Sequence, residues 1–135
     1  MWIFTKDGFF SAVHKSEQPN HMLTVRARSR VDLVKVNKKL GKKRIKIISN
    51  KGTDYEFRIE IDRSTWANYL YDEAMGLDYG NFKDEIHLID ERRANIYSRV
   101  WADMLNIADK FSLKENFIKR SVNGAIYKSR RGYVL

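Results

Sequence analysis

The sequence predicts an α+β protein, an antiparallel-rich sheet with helices packed on one face. Three observations predict it. Aromatic and β-branched residues flank an Asp7-Gly8 turn near the start of the chain. Two later segments, LTVRARS and YEFRIEID, alternate apolar and polar residues with the period of a strand. Apolar residues at spacings of three and four then recur from Phe82 to Phe111, the period of a helix.

In MWIFTKDGFFSAVH the apolar run from Met1 ends at Phe4, and Lys6 and Asp7 interrupt it. That is too short for the core of a secretory signal, about 7–15 residues, or for a spanning helix, roughly 20 residues. A hairpin is expected instead, with glycine at position 8 because a tight turn favours φ > 0. Trp2 and Phe4 share one face of the first strand. Phe9, Ser11 and Val13 share one face of the second. With no signal segment visible, a cytoplasmic location is the expectation. The single proline, Pro19, sits in a polar loop, SEQPNH. LTVRARS then places Leu23, Val25 and Ala27 inward. Ser29 and Asp32 form a capping pair for a helix from about Arg30 to Leu40, which Gly41 ends.

KRIKIIS is the next strand, carrying Ile45, Ile47 and Ile48, and Lys51-Gly52 turns the chain. YEFRIEID sends Tyr55, Phe57, Ile59 and Ile61 to the core and Glu56, Arg58, Glu60 and Asp62 outward. Ser64 is placed to cap a helix bearing Trp66, Tyr69, Leu70 and Leu77. In LDYGN, Asp78 or Asn81 caps the next helix, Gly80 permits the turn, and Tyr79 and Phe82 staple the two helices. A break near Asp90 would divide the helical run from Phe82 into a short helix and a long one. Ser112 and Glu115 open a further short helix, and AIYKSRRGYVL is a loose tail or a late strand. The order is ββ-β-α-β-β-α-α. Its inner part matches most of a ferredoxin-like split βαβ unit, and the opening hairpin supplies the missing strand positions. Residues 1–111 are expected to form one domain, and 112–135 a basic C-terminal extension.

The chain of 135 residues has no cysteine, which excludes disulfides, thiolate catalysis and cysteine-held metals within it. His14, His21 and His87 sit in no nucleophile or zinc motif, and the seven glycines form no phosphate loop. His87 and Asp90 are too few for a metal site. No cofactor, metal or catalytic residue is expected.

Charge is the informative feature. The net charge is +9, unevenly spread. Residues 24–51 carry eleven cations and one anion, residues 52–111 seven and thirteen, and residues 112–135 six and one. Lys35, Lys38, Lys39 and Lys42 fall at i, i+3, i+4 and i+7, one stripe of a helix. Lys43, Arg44 and Lys46 extend it. Lys119, Arg120, Lys128, Arg130 and Arg131 crowd the C-terminal end, with Tyr127 and Tyr133 among them. Such patches attract phosphate backbones through counterion release. These twelve cations are the expected contacts of a non-enzymatic module that binds nucleic acid or another polyanion. An amphipathic helix in water explains the stripe equally well. If LTVRARS pairs with YEFRIEI, Arg26 and Arg28 lie opposite Glu56 and Glu60, and charges neutralise the open sheet face. Nucleic acid would then meet the lysine helix and the tail. The alternative is a protein-binding regulator or inhibitor, self-associating through its basic and acidic segments, and no membrane is involved.

The blocks MWIFTKDGFFSAV, LTVRAR, STWANYL, LDYGNFK and IYSRVWADM come in this order. Together they resemble a group of small bacterial proteins of unknown function, over about residues 1–108. The resemblance implies a shared α+β fold and carries no activity and no site residues. It does not reach the segment from Ser112 onward.

Overall fold

The structure is a computed structural model that describes residues 1–41 and 44–123, with side chains through Ile107. In chain order the elements are β1 (Trp2–Phe4), β2 (Phe9–Val13), β3 (Met22–Ala27), α1 (Arg30–Lys39), β4 (Ile48–Ser49), β5 (Phe57–Asp62), α2 (Arg63–Met75), α3 (Phe82–Ile89) and α4 (Glu91–Asn123). The fold is α+β. The chain gathers into two compact units, 1–80 and 81–135.

The first unit holds a five-stranded sheet, ordered β1-β2-β3-β5-β4, in which every neighbouring pair is antiparallel. Strand β5 lies between β3 and β4 and runs against both. The connection β3–α1–β4 is therefore a split βαβ unit, and β2 of the opening hairpin fills the position on the other side of β3.

Alternation decides the two faces. Phe10 and Ala12 of β2, Val25 and Ala27 of β3, and Ile59 and Ile61 of β5 point to one side. Onto them pack Leu33 and Val36 of α1 and Trp66 and Tyr69 of α2. Both helices thus lie on one face of the sheet. Trp66 stacks on Tyr69 at 4.9 Å between ring centroids and meets Phe10 edge-on at 5.7 Å. Burial of each large side chain here stabilises the unit by about 1.5–3 kcal/mol.

The hairpin turn is tight, as expected, but sits one residue earlier than Asp7-Gly8. Thr5 and Gly8 exchange backbone hydrogen bonds of 2.9 and 3.2 Å, which leaves Lys6 and Asp7 at the tip. Gly8 has no positive φ. Its reason is space: a Cβ there would collide with the carboxyl group of Asp32. Asp32 is 2% exposed and accepts a hydrogen bond of 3.2 Å from the Phe9 N–H. The Ser29–Asp32 capping pair does not form. Ser29 is the N-cap residue but its side chain makes no cap bond, and the Asp32 carboxylate, the other half of the pair, is turned to the hairpin.

Other local signals fare unevenly. Gly41 adopts φ 63° just past α1, where a left-handed residue ends a helix. Gly52, at φ 85°, serves the expected turn. The KRIKIIS strand shrinks to Ile48–Ser49. Residues 44–47 are held by Asn37 of α1, whose amide donates to the Ile45 carbonyl at 2.8 Å and accepts from the Ile45 N–H at 2.9 Å. Ser64 does not cap α2. That helix starts at Arg63, with Asp62 as N-cap residue, and the Arg63 N–H donates to the His21 carbonyl at 2.7 Å.

In the second unit Asn81 caps α3, accepting from the Lys83 N–H at 2.9 Å. Asp90 breaks the helical run, and its carboxylate caps α4 by accepting from the Arg93 N–H at 2.9 Å. Ile86, Ala94 and Tyr97 are buried, and Phe82 stacks on Tyr97 at 5.9 Å. Tyr79, in the first unit, lies under the Lys6 ammonium. Helix α4 runs on to Asn123, so Ser112 opens no separate helix, and the expected boundary at 111/112 falls inside α4. No glycine or proline occurs between Glu91 and Asn123, and nothing local stops the helix. No helix among the described residues is long and apolar enough to cross a membrane.

Gly8→Ala is expected to lower stability by about 1–3 kcal/mol, the cost of forcing an extra carbon into a packed site. Urea unfolding measures it, as a lower midpoint at an unchanged slope.

Candidate functional site

Eleven cations lie within residues 24–51. Two of them, Lys42 and Lys43, lie outside the described residues. Of the other nine, Lys39 is the one with a carboxylate within ion-pair distance among the described residues. The rest have no carboxylate partner among the described residues, and Arg26 stands opposite another arginine, Arg58.

Helix α1 and the 44–47 segment build a basic groove. Arg30, Val34 and Lys38 stand at i, i+4 and i+8 on α1 and line one wall with Asn37. Arg44, Ile45 and Ile47 line the other. The Asn37 clamp fixes this segment in place. Ile45 and Ile47 pack against the core, which turns Arg44 and Lys46 outward, and both are exposed. Lys38 is exposed and Lys35 half-buried.

Lys39 belongs elsewhere, so the expected four-lysine stripe divides. Its ammonium lies 2.8 Å from Asp7 Oδ2 and also pairs with Glu73. The Tyr69 hydroxyl donates to Asp7 at 2.9 Å and lies 3.3 Å from the Thr5 hydroxyl. Burial alone would lower the Lys39 pKa, but the hydrogen bonds to Asp7 and Glu73 outweigh it and hold it above its ordinary value. Burial also pushes the Tyr69 phenol well above its ordinary range, and the Asp7 and Glu73 charges add to that. This knot ties the hairpin tip to α1 and α2.

Lys119 and Arg120 fall within the backbone span of α4 but beyond the described side chains, and Lys128, Arg130 and Arg131 lie outside the described residues. Sequence spacing alone could have found Arg30, because 30, 34 and 38 share a helix face. No sequence signal marks Lys39 as the paired lysine, since Asp7 and Glu73 come from distant segments.

The sheet face away from α1 and α2 also departs from expectation. Strand β3 pairs with β5 as anticipated, but Arg26 stands opposite Arg58, and Thr24 opposite Glu60. Glu60 accepts from the Thr24 hydroxyl at 2.9 Å and from the Gln18 amide. Glu56 accepts from the Ser49 hydroxyl at 2.8 Å. Neither carboxylate neutralises an arginine. Phe57 packs against the core, but Tyr55 does not follow it. The chain bends before β5, and the Tyr55 ring lies beneath the guanidinium groups of Arg26 and Arg28, at 4.8 and 5.2 Å.

Among the described residues no three histidines, aspartates or glutamates gather as metal ligands would. Compared with family models, curated proteins and solved structures, the chain gives no match.

The raised pKa values of Lys39 and Tyr69 give a signed expectation. In both cases the folded state holds its proton to higher pH than the unfolded chain. Their stabilisation is therefore complete below about pH 10 and is lost as pH rises further. Tyr69→Phe and Lys39→Met should be less stable than the parent at pH 8. They should also lose less additional stability between about pH 10 and 11.5. Urea midpoints across that range give the comparison.

Proposed function

We propose that the protein is a non-enzymatic binding module whose basic surface engages nucleic acid or another polyanion. The observation that carries the proposal is the lack of compensation. Eight described cations of the 24–51 segment have no carboxylate partner among the described residues, although the following segment is rich in carboxylates. Surface charges of one sign raise the local potential and recruit counterions, which a phosphate backbone displaces. Arg30, Lys38 and Arg44 along one groove, with Lys46 beside them, suit a chain of phosphates better than a single small anion.

A salt series tests this. The fall of log affinity with log salt should have a slope of about 0.7–0.9 per phosphate contacted. Lys38→Gln with Arg44→Gln should make that slope shallower by about one to two units and weaken binding at low salt. Absence of binding at about 50 mM salt, where screening is weak, would overturn the proposal.

A second reading is association of two copies, the basic segment of one against the acidic 52–111 segment of the other. The opposite net charges of the two segments favour it. Light scattering over the same salt range separates the two, since a dimer held by opposite charges dissociates as salt rises.

A further inference from the structure

The face of the sheet that α1 and α2 leave open carries rings and arginines together. Cross-strand partners share a face, so the pairs Trp2↔Ser11, Phe4↔Phe9, Ser11↔Arg26 and Arg26↔Arg58 trace one continuous surface. Trp2 is 70% exposed and meets Phe9 edge-on at 5.7 Å. Phe4 stacks on Phe9 at 4.6 Å, and Phe9 lies 6.1 Å from Tyr55. A row of four aromatic rings, two from β1, one from β2 and one from the bend before β5, therefore ends under Arg26 and Arg28.

The arginine end is unusual in two ways. Arg26 and Arg58 stand directly opposite each other, a like-charge pairing that destabilises a sheet unless something offsets it. Each spends donors inside the protein, Arg26 on the Ser11 hydroxyl at 2.8 Å and Arg58 on Thr53 and the Tyr55 carbonyl at 3.1 and 3.0 Å. Even so, Nε of Arg26, Nε of Arg58 and the hydroxyl of Tyr55 are buried without a hydrogen-bond partner among the described residues. Tyr55 is 4% exposed, so its hydroxyl is a buried polar group with its bond unmade. These atoms lie below the surface, but the exposed guanidinium of Arg28 and the half-buried ones of Arg26 and Arg58 above them have no carboxylate to neutralise them among the described residues, and an anion fits there.

We infer that this open sheet face binds single-stranded nucleic acid. Unpaired bases stack on Trp2 and on the edges of Phe4 and Phe9, and a backbone phosphate sits against Arg28, Arg26 and Arg58. Stacking needs the faces of the bases, which a duplex keeps inside its own stack, so the row of rings selects single strands. A free phosphate or an acidic peptide would use the arginines and leave the rings idle. The inference rests on the polyanion reading and gives it a second surface, on the opposite side of the sheet from α1.

The experiment compares a labelled oligothymidylate with a duplex of the same length, by anisotropy at low salt. The full chain should bind the single strand more tightly. Trp2→Ala with Arg28→Gln, two exposed positions, should weaken single-strand binding by about tenfold or more and weaken duplex binding by clearly less, because the duplex loses one cation and no stacking ring. Lys38→Gln with Arg44→Gln should weaken both. Thermal melts check that each variant is folded, and Arg28→Gln alone gives a second, milder change in the same direction. Equal affinity for the two oligonucleotides overturns the inference while the polyanion reading stands, as does an unaltered single-strand affinity in the Trp2/Arg28 variant. If the parent chain binds neither oligonucleotide, both readings fall together.

Discussion

The Asp32 carboxylate seated against Gly8 is the constraint on which the first unit depends. It comes from the first turn of α1 and is buried under the hairpin, where it takes the Phe9 N–H. That attachment helps fix where β2 begins relative to the helix. A slip of one residue along β2 would send Phe10 and Ala12 to the open side and bring Phe9 and Ser11 onto the helices. The hydrophobic core and the row of rings are thus two results of one register. The neighbouring knot of Asp7, Lys39, Tyr69 and Glu73 supports the same junction with charge.

The two surfaces differ in physical character although both are basic. Along α1 the cations are spread on long side chains over a shallow apolar floor of Val34, Ile45 and Ile47. Such a surface is set by potential and is strongly screened by salt. On the sheet the guanidinium groups are partly buried, held by hydroxyls and a carbonyl, and pressed against a ring. Charges fixed in this way have little freedom left to lose when a partner arrives.

Much of the fold could be read from the sequence because its signals are local. The strict alternation around Val25 and Ile59 fixed two central strands, and Gly41 marked the end of α1 where a left-handed residue was needed. The unbroken apolar period from Ile96 onward belonged to one helix, and Ser112 misled because a capping residue inside a helix looks the same as one before it. The candidate site was less legible. Its basic segment was visible as composition, but three decisive facts depend on contacts between distant segments. Asp7 and Glu73 capture Lys39, Ser49 and Thr24 occupy the carboxylates meant for the arginines, and a bend before β5 carries Tyr55 to the other side. Alternation extrapolated through a bend gives the wrong face, because period-two reasoning assumes continuous extended backbone.

The shortness of the outer strands has a consequence for the behaviour of the molecule in a crowded solution. One edge of the sheet is a strand of three residues and the other a strand of two. Beside the shorter one, the Asn37 side chain occupies the N–H and C=O of Ile45 that a foreign strand would otherwise pair with. Lys46 and Arg44 stand exposed along the same stretch. Short edges, occupied backbone groups and repelling charges are the means by which sheets refuse to grow by edge-to-edge addition. The basic segment therefore also keeps this sheet finite, and its sheet-forming sequence resists recruitment into aggregates.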